Sequence, residues 1–132
     1  MGYPDTFEGF CVENAKTWGQ FTKKTLTPKP FEDDDIDIKI DACAVCGSDV
    51  HTITGGWGEF EGPLCVGHEI VGRAVRVGKN VKGVKEGDRV GVGAQVWSCL
   101  KCHNCTHENE NYCPNFVGEC QPQPYVHPAS VF

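Results

Sequence analysis

Cys99, Cys102, Cys105 and Cys113 are separated by two, two and seven residues. A thiolate bound to Zn²⁺ sits at about 2.3 Å, so four sulfurs on one tetrahedron need tight turns between them, and the two-residue gaps provide these. The surrounding side chains, from Lys101 and His103 to Glu110 and Asn111, are polar, which makes the stretch a solvated loop without an apolar face. Two disulfides or four unrelated thiols are the competing readings, but closely spaced cysteines in a polar loop favour metal. Four protein ligands leave no open position, so this site holds shape and any reaction happens elsewhere.

A second constellation is scattered: Cys46 offers a thiolate, His68 an imidazole nitrogen, and Glu69 a carboxylate as ligand or supporting group. Catalytic zinc takes three protein ligands and keeps one position open. Ser48 and His51 follow Cys46 closely; a hydroxyl near the reacting oxygen, backed by an imidazole nearer solvent, can move a proton to and from water. From spacing alone, a metal site and a set of unrelated core or surface residues both remain open.

The elements that must position these groups read as short strands. Residues 5–27 predict two strands joined by a turn, ended by Pro28 and Pro30. Asp33-Asp34-Asp35 reads as a solvated acidic loop rather than a cation site. Ile36, Ile38 and Ile40 alternate with Asp37, Lys39 and Asp41, predicting a strand with one buried and one wet face. It runs into a short helix capped by Ser48 or Asp49 and stopped at Gly55-Gly56. Trp57 and Phe60 lie in a loop and are expected to be exposed unless they line something. A strand over Ile70–Val77 and a single alternating strand over residues 89–96 follow, each bounded by glycine-containing turns. No periodicity survives the four prolines of residues 114–132.

Sixteen glycines in 132 residues, against about 7 % in average proteins, favour a turn-rich, mainly β fold, a small barrel or sandwich. The net charge of −6 excludes the basic stripe that nucleic acid demands. Charges interrupt every apolar run well short of the roughly 20 residues of a membrane span. Acidic and basic residues through the first thirty positions give no signal-peptide core. Nine cysteines without such a signal point to a reducing, cytoplasmic setting. Cys43 pairs with Cys46 in a C-x-x-C spacing, but at the end of a strand, where alternate side chains diverge; it reads as packing. Cys11 and Cys65 read as buried small hydrophobes, and His103 and His107 as solvated loop residues.

Ala44-Val45-Cys46-Gly47-Ser48-Asp49-Val50-His51, then Gly67-His68-Glu69-Ile70-Val71-Gly72, then Gly87-Asp88-Arg89-Val90-Gly91-Val92-Gly93 and the four-cysteine loop, occur in an order that resembles the zinc-dependent medium-chain alcohol dehydrogenases. The likeness is greatest to their cinnamyl-alcohol-dehydrogenase-like, NADP(H)-preferring branch, and covers roughly residues 7–117. It implies a GroES-like, partly open β-barrel with short helices over residues 1–117, with a structural zinc lobe at 95–115. It further implies Cys46 and His68 as catalytic zinc ligands, with Glu69 able to ligate in the resting state. Ser48 and His51 match the proton relay, Trp57 a substrate-pocket position, and Cys99, Cys102, Cys105 and Cys113 the structural zinc set. Alcohol dehydrogenases are the standard instance of a two-Cys, one-His catalytic zinc site, so that count is the family's and not read from spacing. The implied reaction interconverts a primary alcohol and an aldehyde, aromatic or medium-chain, with NADP(H). Family members are often dimeric.

Two features depart from the family. Gly91-Val92-Gly93 has Val96, and Gly56-Trp57-Gly58 has Glu61, where a dinucleotide-binding G-x-G-x-x-G needs its third glycine; no Rossmann cofactor domain is expected within these residues. The family's remaining zinc-ligating cysteine falls beyond residue 132, and residues 118–132 read as an irregular, non-family tail resembling a truncated or alternatively spliced end. Cys120 and His127 are the stand-in ligands to weigh there. The expected function is that of an alcohol dehydrogenase catalytic-domain fragment, inactive alone. The alternative is a non-catalytic zinc-binding module that pairs with a full-length relative.

Overall fold

The computed structural model describes residues 6–60, 62–118 and 129–131. Its strands are β1 (Phe7–Cys11), β2 (Thr22–Leu26), β3 (Ile36–Ala44), β4 (Glu69–Val77), β5 (Arg89–Val92), β6 (Gln95–Trp97), β7 (Val117–Gly118) and β8 (Ala129–Val131). Two short helices join them, α1 (Gly47–Ile53) and α2 (His103–Thr106). The mainly β, short-helix expectation holds. The sheets do not close: β1-β2 and β6-β7 are separate antiparallel pairs, and the largest sheet runs β5-β4-β3-β8.

The β3-β4 pairing, Ile36 opposite Val77 through Ala44 opposite Glu69, is the frame on which the site is hung. β4 alternates cleanly, with Ile70, Gly72 and Ala74 buried and Glu69, Val71, Arg73 and Val75 exposed. Gly72 is required there, because a Cβ would lie 2.2 Å from the Lys39 carbonyl oxygen.

On β3 the expected alternation fails. The pairing shifts between Asp37 and Ile38 and again between Ile40 and Ala42. Each irregularity resets which face a side chain takes, so Asp37 and Ile38 are both buried. Asp37 lies opposite Arg76, whose guanidinium approaches it at 4.0 Å. Nor is the acidic run all solvated: Asp35 is buried, paired with Lys29, and accepts the Glu32 N–H at 2.7 Å.

Other expectations are corrected in detail. The strand foreseen over 89–96 is split into β5 and β6, which join different sheets. Phe60 is buried, packed with Val12 and Ile53, and flanked by Ala15, Leu64 and Val66; this core ties the end of β1 to α1 and the segment before His68. Cys65 and Cys43 are exposed rather than buried packing, whereas Cys11 is fully buried. Within the stretch read as irregular, β8 pairs in parallel with β3, Ile36 facing Ala129. Cys120 and His127 lie outside the described residues. Among the described residues no helix is long and apolar enough to cross a membrane.

Candidate metal centres

The end of β3 delivers Cys46 to the start of α1, and the start of β4 delivers His68 and Glu69 opposite it, since Ala44 and Glu69 are cross-strand partners. Their ligand atoms come within 4.8 Å of one another. Ser48 Oγ donates to Cys46 Sγ at 3.2 Å and lies 3.2 Å from His68 Nε2. Residues 20 apart in sequence thus converge on one point.

Asp49 is the functional residue that the sequence reading assigned only to capping. The N-cap of α1 is Cys46 itself, not Ser48 or Asp49. Asp49 reaches back with Oδ2 to accept the Cys46 N–H at 2.8 Å, and its Oδ1 lies 2.9 Å from His68 Nδ1. It is 3 % exposed and His68 5 %. One buried carboxylate therefore orients both donor residues, and with Nδ1 donating to it, His68 presents Nε2 toward Cys46 and Ser48. A carboxylate behind a ligating histidine fixes its tautomer and raises its basicity. The signal lay in the sequence as an acidic residue three positions after Cys46, at N3, where a side chain can reach the N-cap backbone.

The electrostatics follow from these contacts. Hydrogen bonds from Ser48, side chain and backbone, and from His68 hold the Cys46 thiol below its usual range. Burial of His68 works against its charge, but the Cys46 contact and the Asp49 carboxylate outweigh it and raise the imidazole. Both shifts favour the charged forms, thiolate and imidazolium, relative to the isolated groups.

His51 sits one turn beyond Ser48 on α1, exposed to solvent. Its ring meets Trp57 edge-on, centroids 4.3 Å apart. A Cβ on Gly56 would lie 2.1 Å from the His51 ring, so the glycine that follows the left-handed Gly55 makes room for the imidazole. Trp57 is 71 % exposed and touches this ring.

The second cluster is self-contained. Cys99, Cys102, Cys105 and Cys113 bring their sulfurs within 4.8 Å of one another. Cys102 and Cys105 are 3.4 Å apart, and Cys99 and Cys105 3.9 Å. Four sulfurs at 2.3 Å from one ion would stand about 3.8 Å apart on a tetrahedron, so the donor set fits. The stretch is not wholly a loop, since α2 is capped by Cys102 and carries Cys105, and Leu100 takes a left-handed φ of 53° between Cys99 and Cys102. Cys113 is 1 % exposed and accepts N–H groups from Cys99 and Asn115, both at 3.4 Å. Backbone donation from Lys101, resisted by burial and helped by Cys102, brings the Cys99 thiol down to about 6. β6 and β7 clasp the base of this lobe.

Residues 32–129 match the family described as alcohol dehydrogenase GroES-like domain. The chain belongs to that family. It is 53 % identical over 126 residues to NADP-dependent alcohol dehydrogenase 6 of Saccharomyces cerevisiae, covering 95 % of this chain and 35 % of that protein. Cinnamyl alcohol dehydrogenase 3 of Arabidopsis thaliana is 53 % identical over 85 residues, 64 % of this chain and 23 % of its own. Among solved structures, a cinnamyl alcohol dehydrogenase from Sorghum bicolor superposes with a TM-score of 0.78 at 37 % identity, covering 86 % of this chain and 32 % of that one. The Helicobacter pylori enzyme complexed with NADP(H) gives 0.78 at 34 %, covering 85 % and 32 %. The GroES-like fold is therefore established. The chain spans about a third of the length of these relatives.

Proposed function

We propose that these residues form the metal-binding side of a zinc-dependent alcohol dehydrogenase that interconverts primary alcohols and aldehydes, aromatic or medium-chain, using NADP(H). The observation that carries this reading is the meeting of Cys46, His68 and Glu69 within 4.8 Å, with Ser48 at 3.2 Å from the first two. The relatives named NADP-dependent and cinnamyl alcohol dehydrogenases support the cofactor and the aromatic class. When bound, zinc supplies Lewis acidity at the carbonyl oxygen and reduced nicotinamide supplies hydride.

The chain's own residues do the rest. Cys46, His68 and Glu69 form the ligand set, with Asp49 holding the first two in register. Ser48 keeps a proton on Oγ beside the reacting oxygen, and His51, exposed one turn away, exchanges it with water. Trp57, stacked edge-on against His51, walls the entry side. Cys99, Cys102, Cys105 and Cys113 hold a second, structural zinc. The workplace is the cytoplasm, consistent with thiols serving as metal ligands. Neither nucleic acid nor membrane is a partner.

In this reading the catalytic part spans residues 1–117, no G-x-G-x-x-G stands among the 132 residues, and the 132-residue stretch assayed by itself is expected to be inert. NADPH oxidation with an aromatic aldehyde, assayed on the purified 132-residue chain, is expected to stay at background; turnover would overturn the inert reading. A zinc-only module is favoured by one observation: β5 and β8 end the largest sheet, each with one partner among the described residues. Co-purification with an intact dehydrogenase would select it.

A further inference from the structure

Two cysteines that neither metal centre uses are brought face to face by the backbone. Val12 and Leu64 form an antiparallel bridge and exchange both hydrogen bonds, Val12 N to Leu64 O at 3.0 Å and Leu64 N to Val12 O at 2.9 Å. In antiparallel pairing the next residues along form the non-hydrogen-bonded pair, with Cα atoms about 4.5 Å apart and side chains on one face. That pair is Cys11 and Cys65. The separation lies within the span of roughly 4.4–6.8 Å that a disulfide needs.

The side chains agree with the register. A Cβ on Gly9, two residues before Cys11 and on the same face of β1, would stand 3.0 Å from Cys65 Sγ. Cys11 Sγ donates to the carbonyl of that same Gly9 at 3.8 Å, so both sulfurs lie beside one residue. Both thiols are free in this structure.

We propose that Cys11 and Cys65 are a reversible redox pair, which closes to a disulfide that pins the segment leading to His68 onto the end of β1. The oxidant is a small-molecule disulfide of the glutathione class. Cys65, exposed while Cys11 is fully buried, attacks first, forming a mixed disulfide and releasing one small thiol. Cys11 then attacks the Cys65 sulfur, forming the Cys11–Cys65 bond and releasing the second. Two protein thiols lose two electrons and two protons, and one small disulfide becomes two thiols. Partial desolvation, with Cys11 and Cys43 nearby, pushes the Cys65 thiol up to about 11 although the residue reaches solvent, so closure is slow near neutral pH and accelerates in base. The pair depends on no assignment of the metal centres.

The test uses the zinc-loaded 132-residue chain, incubated with oxidised glutathione, alkylated and digested. A peptide joining Cys11 to Cys65, its formation accelerating roughly tenfold per pH unit between 7 and 9, is the expected result. The link closes a long loop and should raise the thermal midpoint by roughly 5–10 °C, a rise reversed by dithiothreitol and absent in Cys65→Ala. Persistent alkylation of both thiols, a stable glutathione adduct on Cys65, or a link from Cys65 to Cys43 would each overturn the proposal. The peptide measurement on the unaltered chain decides the matter even if the variant folds poorly.

Discussion

The two candidate metal centres draw on the same side-chain chemistry and are built in opposite ways. The four-thiol lobe takes its donors from one run of fifteen residues, Cys99 to Cys113, and folds them with α2 and two left-handed residues, Leu100 and Glu108. The other centre takes Cys46 from the end of β3 and His68 and Glu69 from the start of β4, so its geometry is only as good as the register between those strands. The lobe is local and closed; the second site is long-range, with its third donor, Glu69, exposed. A centre assembled by sequence proximity depends on its ion to hold the loop. One assembled by a sheet already has its frame, and can leave a position for substrate.

The largest effect that would test this contrast is at the lobe. Cys113→Ser removes the one fully buried ligand of the four. Zinc affinity there should fall by more than about 100-fold, beyond what loss of a supporting group costs, and the thermal midpoint should drop by roughly 10 °C or more. Metal analysis with calorimetry reads both. Retention of two zinc ions with an unchanged midpoint would show that the lobe does not depend on its ion. Next comes Cys46→Ala with His68→Ala, which should remove one equivalent of zinc, leave the lobe filled, and lower the midpoint by less than Cys113→Ser does. Equal destabilisation would erase the distinction between a bracing and a reacting centre.

The same contrast explains what the sequence could show. The convergence of the lobe's four cysteines was legible because their spacing is their geometry, whereas α2 within the expected loop was not. Cys46, His68 and Glu69 were legible as residue types, but their meeting depends on the β3-β4 register, which bulges twice, and no local pattern encodes that. Those bulges also turned Asp37 inward, where strict alternation placed it in water. Asp49 was visible as a helix-start carboxylate; its second bond, to a histidine 19 residues away, was not. Cys65 looked like a core residue by type, yet its place opposite Cys11 follows from a single bridge outside any regular strand. Local chemistry was readable, and tertiary register was not.

A smaller effect should follow from Asp49→Asn. The amide oxygen can still accept one N–H, so the helix start survives, but the negative charge behind His68 is gone. Zinc affinity at this centre should fall by about 10–100-fold, with the lobe unaffected, as measured by competition with a chromophoric chelator. A change at both centres together would mean that the substitution unsettles the sheet and not the histidine.

The smallest effect is the pH dependence of the zinc-depleted chain. His68 is raised above its ordinary value of 6.5 in the folded state, so protonation favours folding. That contribution is fully present below pH 6.5 and is lost as pH rises through the folded value. Zinc requires the unprotonated nitrogen, so over that same interval its affinity at this centre should climb while metal-free stability declines. The two curves, from chemical denaturation and from metal titration, should change in opposite senses within one window that opens at pH 6.5 and closes above the folded value of His68. In Asp49→Asn, which loses the charge that helps to raise His68, the window should move down toward 6.5. A window that stays put in that variant would show that the Cys46 contact alone holds the proton, and that Asp49 orients the ring without tuning it.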